Sequence, residues 1–334
     1  MSKFLFVIPP FWGHINPTLS IGGTLLERGH DVAWAGMTKL NMKLFPSGAK
    51  YFYMEKTESK NKKEMERIIL LQNKGANMPA LEALKLGLED TYIPFARMMI
   101  DEFNEIVEQY KPDVIVNDCI TFVGGLSAQL KNIPFATITP ITPNALNDPQ
   151  SAPKVTEWVH KSIIDLQRFV GIDGDEEFVQ SKLLNMYYTS QLFCGLDNAS
   201  VPPYMKFIGA LTGRPDNTPF DWKKLDAMGD HPKIYISIGT VLVQSRKDFF
   251  SRMIEALKDK PVTVIAAADP NILDEWPENF IVQGYVPQSE LLKHIDVVIG
   301  HGGLNTTCDT FINGIPMLII PMAFDQSHTA QLIQ

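Results

Sequence analysis

Short runs of β-branched and aromatic residues alternate with longer helical stretches along this chain, and they do so in two successive series. A strand that returns parallel to its neighbour needs a long crossover, so this alternation predicts parallel sheets flanked by helices. The first series places strands at 4–8, 31–35, 113–117, 135–139 and 192–194, with a further one at 206–208. The second places them at 234–238, 262–266, 280–284, 297–300 and 317–320. Between them, residues 201–232 dissolve into Val-Pro-Pro, Gly-Ala-Leu-Thr-Gly-Arg-Pro and Met-Gly-Asp-His-Pro, which reads as an interdomain connection. The boundary is expected at Gly213, giving an N-terminal domain of residues 1–212 and a C-terminal domain of 213–334.

Composition narrows the function classes. The chain has 334 residues, 45% hydrophobic and 20% charged, with 22 glycines and 23 prolines, which excludes disorder, collagen and coiled coil and gives a prior of two domains. Thirty basic against thirty-eight acidic residues leave a net charge of −8, the wrong sign for a phosphate-backbone binder, and no basic stripe offsets it. No nucleic-acid partner is expected. Cys119, Cys194 and Cys308 lack CxxC spacing, so neither a disulfide framework nor a zinc site is suggested and a reducing compartment fits. The apolar run at 4–8 ends at Pro9-Pro10, too short for a signal-peptide core, and no run of about eighteen apolar residues could span a membrane. A cytoplasmic protein is expected.

The first helix is punctuated by Asn16 as a cap, Pro17 at the first helical position and Gly29 after the last turn. Residues 81–110 repeat apolar side chains at three- and four-residue steps with an interruption near Pro94, predicting a kinked amphipathic region. Its Met- and Phe-rich stripe reads either as core or as the lining of an apolar pocket. Another helix is expected over 155–170.

In open parallel sheets ligands sit beyond the carboxyl ends of the strands, so the loops there carry the chemistry. The first loop, Pro9 to Pro17, puts His14 ahead of a helix, where an imidazole suits proton abstraction from a hydroxyl; a lone turn histidine is also commonly structural. Asp118 follows the 113–117 strand and could orient that ring, or simply cap a helix. In the second series, Ser237-Ile238-Gly239-Thr240 forms a small-residue turn with hydroxyls. The segment His301-Gly302-Gly303-Leu304-Asn305-Thr306-Thr307 is stronger: two glycines allow close approach, and the helix after them offers unpaired N–H groups to a pyrophosphate, or the glycines simply enter a helix with no ligand. Asp309, one turn on, suits ribose hydroxyls; Asp325-Gln326 suits sugar hydroxyls; Tyr285 could lie against a nucleobase or be half-buried in the core. Asp173-Gly174-Asp175 has an Asp-x-Asp spacing but no strand leads into it, so it reads as a solvated turn. GxGxxG after a strand, GxxxxGK[ST] and GxSxG are all absent.

Together these segments resemble the family 1 glycosyltransferases, of GT-B fold, which transfer sugar from a UDP-sugar with inversion. The resemblance rests on Gly13-His14-Ile15-Asn16-Pro17, on Pro112-Asp113 through Asp118, on Ser237 to Thr240, and above all on Gly284-Tyr285-Val286-Pro287-Gln288 through Asp325-Gln326, some forty residues similar to the family's nucleotide-sugar box. It implies an α/β fold of two Rossmann-like, doubly wound domains facing across a cleft, acceptor on the first and donor on the second. By the same resemblance His14 is the base and Asp118 its partner. Tyr285 stacks on the base, Val286 and Gln288 help hold uracil, and Asp309 takes the ribose. His301, Gly303, Asn305, Thr306 and Thr240 fall at diphosphate positions, and Asp325 and Gln326 at sugar contacts. No metal and no cofactor beyond the UDP-sugar donor is implied, and the acceptor is a hydrophobic, hydroxylated small molecule.

Thr306 and Asp309 stand where the family usually has serine and glutamate, and the shorter reach at 309 bears on UDP against dTDP. The box is similar to bacterial macrolide and carotenoid (zeaxanthin-type) glucosyltransferases, the latter in Leu304-Asn305-Thr306, Asp309 and Ala323-Phe324-Asp325-Gln326; glutamine at 326 implies glucose. The sequence ends at Gln334, with about 122 residues from Gly213 against about 212 before it, so a C-terminally truncated second domain is expected. Two rivals remain: a same-fold nucleotide-sugar epimerase or hydrolase, and a truncated relative that binds the nucleotide-sugar without turnover.

Overall fold

Phe4 pairs in parallel register with Val32 on one side and with Val114 on the other, so the first apolar run of the chain is the centre of a sheet. Buried on both faces, such a strand reads as a continuous apolar run in place of an alternating one, and Leu5, Phe6 and Val7 are fully buried. The computed structural model describes residues 1–74, 78–143, 152–210, 218–239, 246–323 and 325–334. They divide into two units, Met1–Leu71 with Pro79–Gly209, and Ala210–Gln334 with Gln72–Met78. The boundary expected at Gly213 falls outside the described residues.

The first unit holds strands β1 (Lys3–Val7), β2 (Asp31–Gly36), β3 (Lys50–Tyr53), β4 (Val114–Asp118), β5 (Phe135–Thr139), β6 (Asn185–Tyr187) and β7 (Met205–Phe207), parallel in the order 3-2-1-4-5-6-7. Helices α1 (Trp12–Glu27), α2 (Glu55–Lys60), α3 (Lys62–Lys74), α4 (Ala80–Gly87), α5 (Ile93–Tyr110), α6 (Val123–Lys131) and α7 (Pro153–Phe169) connect them. The second unit has β8 (Lys233–Ser237), β9 (Thr263–Ala267), β10 (Phe280–Gln283), β11 (Val297–Gly300) and β12 (Met317–Ile319), parallel in the order 10-9-8-11-12. Its helices are α8 (Trp222–Ala227), α9 (Arg246–Leu257), α10 (Gln288–Leu291), α11 (Leu304–Ile312) and α12 (Gln326–Ile333). Each sheet grows outward for three strands and then reverses, so β1 and β4 in one unit, and β8 and β11 in the other, flank a topological switch point.

The structure departs from the expected elements at four places. The strand expected at 192–194 is a turn, in which the Phe193 N–H donates to the Ser190 hydroxyl and Leu192 is 91% exposed. The sheet takes Asn185–Tyr187 instead, and the polar Asn185 is buried there because the Thr139 hydroxyl donates to its side-chain oxygen at 2.7 Å. Strand β3 was not anticipated, since Lys-Tyr-Phe-Tyr is too short a run to announce itself. Helix α1 starts at Trp12, with Phe11 and not Asn16 at its cap: the Phe11 carbonyl accepts from His14 and Ile15 N–H, and Pro17 is absorbed inside the helix, where it forfeits one backbone bond.

The kinked region expected over 81–110 is α4, a wider π-type turn at Leu88–Tyr92, and α5 with Pro94 in its first turn. Its stripe is core: Met99, Phe103, Ile106 and Val107 pack inside the first unit. The second unit has its own core around Tyr235, Ile236, Val264, Ile265 and Val298. Among the described residues no helix is long and apolar enough to cross a membrane.

Candidate active site

Helix α1 is fixed against β2 by an absence. A Cβ on Gly22 would lie 2.1 Å from the Trp34 ring, so only glycine lets the helix come this close. The Trp34 indole stacks on Phe6 and donates to the Thr18 hydroxyl at 2.9 Å, and the Tyr188 hydroxyl donates to the Pro17 carbonyl at 2.8 Å. These contacts fix α1 against the sheet, and His14 is carried in the first turn of that helix. Asp118 is the last residue of β4, the strand beside β1 across the switch point. The chain folds so that two residues 104 positions apart meet: His14 Nδ1 lies 2.9 Å from Asp118 Oδ2 and 3.1 Å from Oδ1.

A carboxylate only accepts, so the imidazole donates from Nδ1 and its Nε2 is left with a lone pair. Asp118 is itself held, Oδ1 accepting the Ile120 N–H at 3.0 Å, and its side chain is fully buried while that of His14 is 17% exposed. An oriented, nearly buried carboxylate behind a partly open imidazole is the arrangement of a general base. Phe11 flanks the imidazole with ring centroids 6.3 Å apart, and Phe95 lies 6.3 Å beyond it, so apolar surface adjoins the histidine. Among the described residues one group of metal-ligating types converges, His14, Asp118 and Cys119, with one ligand atom of each within 4.8 Å of the others. There Nδ1 is already engaged by the carboxylate.

In the second unit the switch point is built from backbone. Gly302 follows β11 with φ +91°, and a Cβ there would stand 3.0 Å from Ile319 Cγ2 and 3.1 Å from the Gln326 carbonyl. Gly303 caps α11, whose first turn carries no acidic residue, so no carboxylate of that turn offsets the positive end of the helix dipole. His301 is wedged between two glycines: a Cβ on Gly239 would lie 2.8 Å, and on Gly303 2.6 Å, from its Nε2. Its Nδ1 donates to the Ser237 carbonyl at 3.3 Å. Burial holds the His301 imidazole below its ordinary range; the carbonyl opposes this, and the positive charge of Arg246 adds to it.

The remaining expected donor residues divide. Tyr285 is 59% exposed, a free-standing ring rather than a core tyrosine. Val286 turns its side chain into the core of the second unit, leaving only its backbone toward solvent chemistry. The Gln288 side-chain oxygen accepts from Tyr235 at 3.2 Å and Thr306 at 3.4 Å, and its amide donates to buried Asp309 at 2.7 Å. Gln288 and Asp309 thus form one unit, with Thr306 against it. Gln326 spends its side-chain oxygen on the N–H groups of Met322 and Ala323, at 2.8 and 2.9 Å, so it shapes the turn ahead of α12. Asp325 stands at the cap of α12, and Asn305 in the first turn of α11, both partly buried. Thr240 lies outside the described residues. Asp173-Gly174-Asp175 is an exposed turn. Two members of this region carried no sequence signal, Tyr235, whose hydroxyl anchors Gln288, and Arg246, whose guanidinium donates to the Gly239 carbonyl at 2.8 Å.

Residues 184–334 match the family model described as UDP-glucoronosyl and UDP-glucosyl transferase. The chain is 24% identical over 338 residues to an NDP-glycosyltransferase YjiC of Bacillus subtilis, covering 97% of this chain and 80% of that one. The chain is thus similar over nearly its whole length to a bacterial glycosyltransferase, and its residues 184–334 carry the family match. It is also 23% identical over 369 residues to a zeaxanthin glucosyltransferase of Pantoea ananas, covering 100% and 83%. Its fold is GT-B. It superposes on the glycotransferase of kitacinnamycin with a TM-score of 0.75 at 21% identity, covering 99% and 83% of the two chains. With the Streptomyces sp. SF2575 glycosyltransferase SsfS6, complexed with thymidine diphosphate, the TM-score is 0.71 at 18% identity, covering 100% and 85%.

Proposed function

We propose that this enzyme moves a hexose, glucose by choice, from a UDP-sugar to a hydroxyl of an apolar small molecule with inversion, using His14 as the base. The observation that carries the reading is the His14–Asp118 pair, 2.9 Å apart at the switch point of the first unit. Nε2 takes the acceptor's proton while the acceptor oxygen bonds to the anomeric carbon. The bond from that carbon to the β-phosphate oxygen breaks, and the nucleoside diphosphate leaves with the electron pair. Asp118 stabilises the imidazolium so formed and keeps the ring in the tautomer that exposes Nε2. Phe11 beside the imidazole supports an apolar acceptor.

On the second unit, charge developing on the leaving diphosphate is met by amides at the α11 N-terminus with Asn305 and Thr306. Tyr285 supplies a ring for the base. Asp309, positioned by Gln288, takes the ribose, and Asp325 takes the sugar beside the turn that Gln326 shapes, leaving Gln326 only its amide N–H for that contact. His301 shapes the cradle and donates to an anion only on gaining a proton, since Nδ1 is committed to Ser237. Free thiols at Cys119, Cys194 and Cys308 support a cytoplasmic setting.

The test is transfer and donor hydrolysis measured across UDP- and dTDP-sugars with a panel of hydroxylated apolar acceptors. Glucoside formation from UDP-glucose, with inverted anomeric configuration, is the expected result. Release of free sugar alone would assign a hydrolase, and nucleotide binding without turnover a non-catalytic binder.

A further inference from the structure

We propose that Arg246 is a diphosphate ligand of the donor site in the second unit, a role that rests on the nucleotide-sugar reading of that unit. The sequence motifs do not point to it. Arg246 opens α9, and its Nη2 donates to the Gly239 carbonyl at 2.8 Å. Gly239 is the turn residue just beyond β8, at φ +72°, and it abuts the His301 ring, whose other flank is Gly303 at the cap of α11. The guanidinium is therefore tied, through one carbonyl, to the turn that adjoins the anion-binding end of α11. A guanidinium presents five N–H donors in a planar fork, a geometry that matches phosphate oxygens.

Charge accounting points the same way. A nucleoside diphosphate brings at least two negative charges, yet the first turn of α11 contributes only amide dipoles and neutral side chains. His301 does not supply the missing cation at neutral pH. Its Nδ1–H is given to Ser237, so the neutral ring turns a lone pair, not a donor, toward Gly239 and Gly303. Burial, reinforced by the Arg246 charge, keeps that ring neutral. The guanidinium remains charged at any working pH. Its charge acts on His301, and Tyr285 lies within its electrostatic reach; these are the two residues assigned to diphosphate and base. Half-buried, it would meet an anion with less solvent between them than a surface lysine does.

The competing role for Arg246 is a clamp that only holds the Gly239 turn. Titration calorimetry separates the two, with UDP and uridine, and in parallel dTDP and thymidine, as probes of the full chain and of Arg246→Gln and Arg246→Lys. A diphosphate ligand predicts that Arg246→Gln weakens the preferred diphosphate at least tenfold while the matching nucleoside stays within twofold. Arg246→Lys should recover most of the loss, because a point charge suffices for part of the contact. Diphosphate affinity within twofold of wild type in Arg246→Gln would overturn the assignment, and so would equal loss of nucleotide and nucleoside, the signature of a distorted turn. Wild-type protein that binds neither UDP nor dTDP would instead remove the donor reading beneath it.

Discussion

In the first unit the switch point between β1 and β4 carries a titratable pair, His14 against Asp118; in the second the same point between β8 and β11 carries glycines, amides and a histidine that burial keeps neutral. One topology thus yields two chemistries. A side chain that must take up a proton needs a carboxylate behind it and an open edge in front. The proposed anion seat needs backbone laid bare, and Gly302 and Gly303 stand where a Cβ would strike Ile319, Gln326 or His301. The units also differ in how their residues are fixed. His14 is placed by packing across the sheet, whereas the anion seat is placed by the turn it belongs to.

The largest effect expected is at the first switch point. His14→Ala should lower kcat by about 10²- to 10⁴-fold, the range of a positioned base, while UDP affinity measured by calorimetry stays unchanged. Asp118→Asn should fall in the same direction, because the ring loses its tautomer; nucleotide binding lost in either variant would break the separation of roles. Next comes Gly302→Ala. Forcing φ +91° on an L side chain, against contacts at 3.0 and 3.1 Å, costs about 1–3 kcal/mol of strain and should weaken nucleotide binding roughly tenfold. A variant with unaltered UDP affinity would move the diphosphate away from this turn.

A smaller change is expected from Asp309→Asn, which removes the charge held by Gln288. UDP affinity should drop a few-fold while 2′-deoxy-UDP is nearly unaffected; equal losses for both would show that Asp309 only braces Gln288. The smallest effect concerns acid stability. The folded state holds the His301 proton less tightly than the unfolded chain, whose imidazole titrates near 6.5, so this residue's contribution is full above that pH and declines as the pH falls through it. His301→Gln should therefore show a flatter dependence of denaturation midpoint on pH between about 5 and 7 than wild type. An unchanged slope would mean that the ring is not the acid-sensitive part of the anion seat.

Much of the anion seat was legible in the sequence because its parts are neighbours along the chain: strand, His301-Gly302-Gly303, then helix. His14 and Asp118 were legible as single residues at strand ends. Less legible were β3 and β6, since Lys50–Tyr53 and Asn185–Tyr187 are too short to stand out as strands, and Asn185 is acceptable inside because Thr139 donates to its oxygen while its amide donates to Gln180 and Tyr187. The start of α1 was misplaced because Asn16-Pro17 is a proper cap signature, overruled by the Phe11 carbonyl and the packing of Gly22 on Trp34.

The sequence by itself determined the two parallel α/β units and the turn chemistry of residues 301–306, since strand propensity, glycine conformation and helix starts act over a few residues. Only the tertiary structure decided that His14 reaches Asp118, that Gln288 holds Asp309, that Gln326 serves its own turn, and that Arg246 stands beside Gly239. The reason is physical. Parallel strands are joined by long crossovers, so partners at a switch point are distant in the chain, and no local pattern records which side chains a register and a packed helix bring face to face.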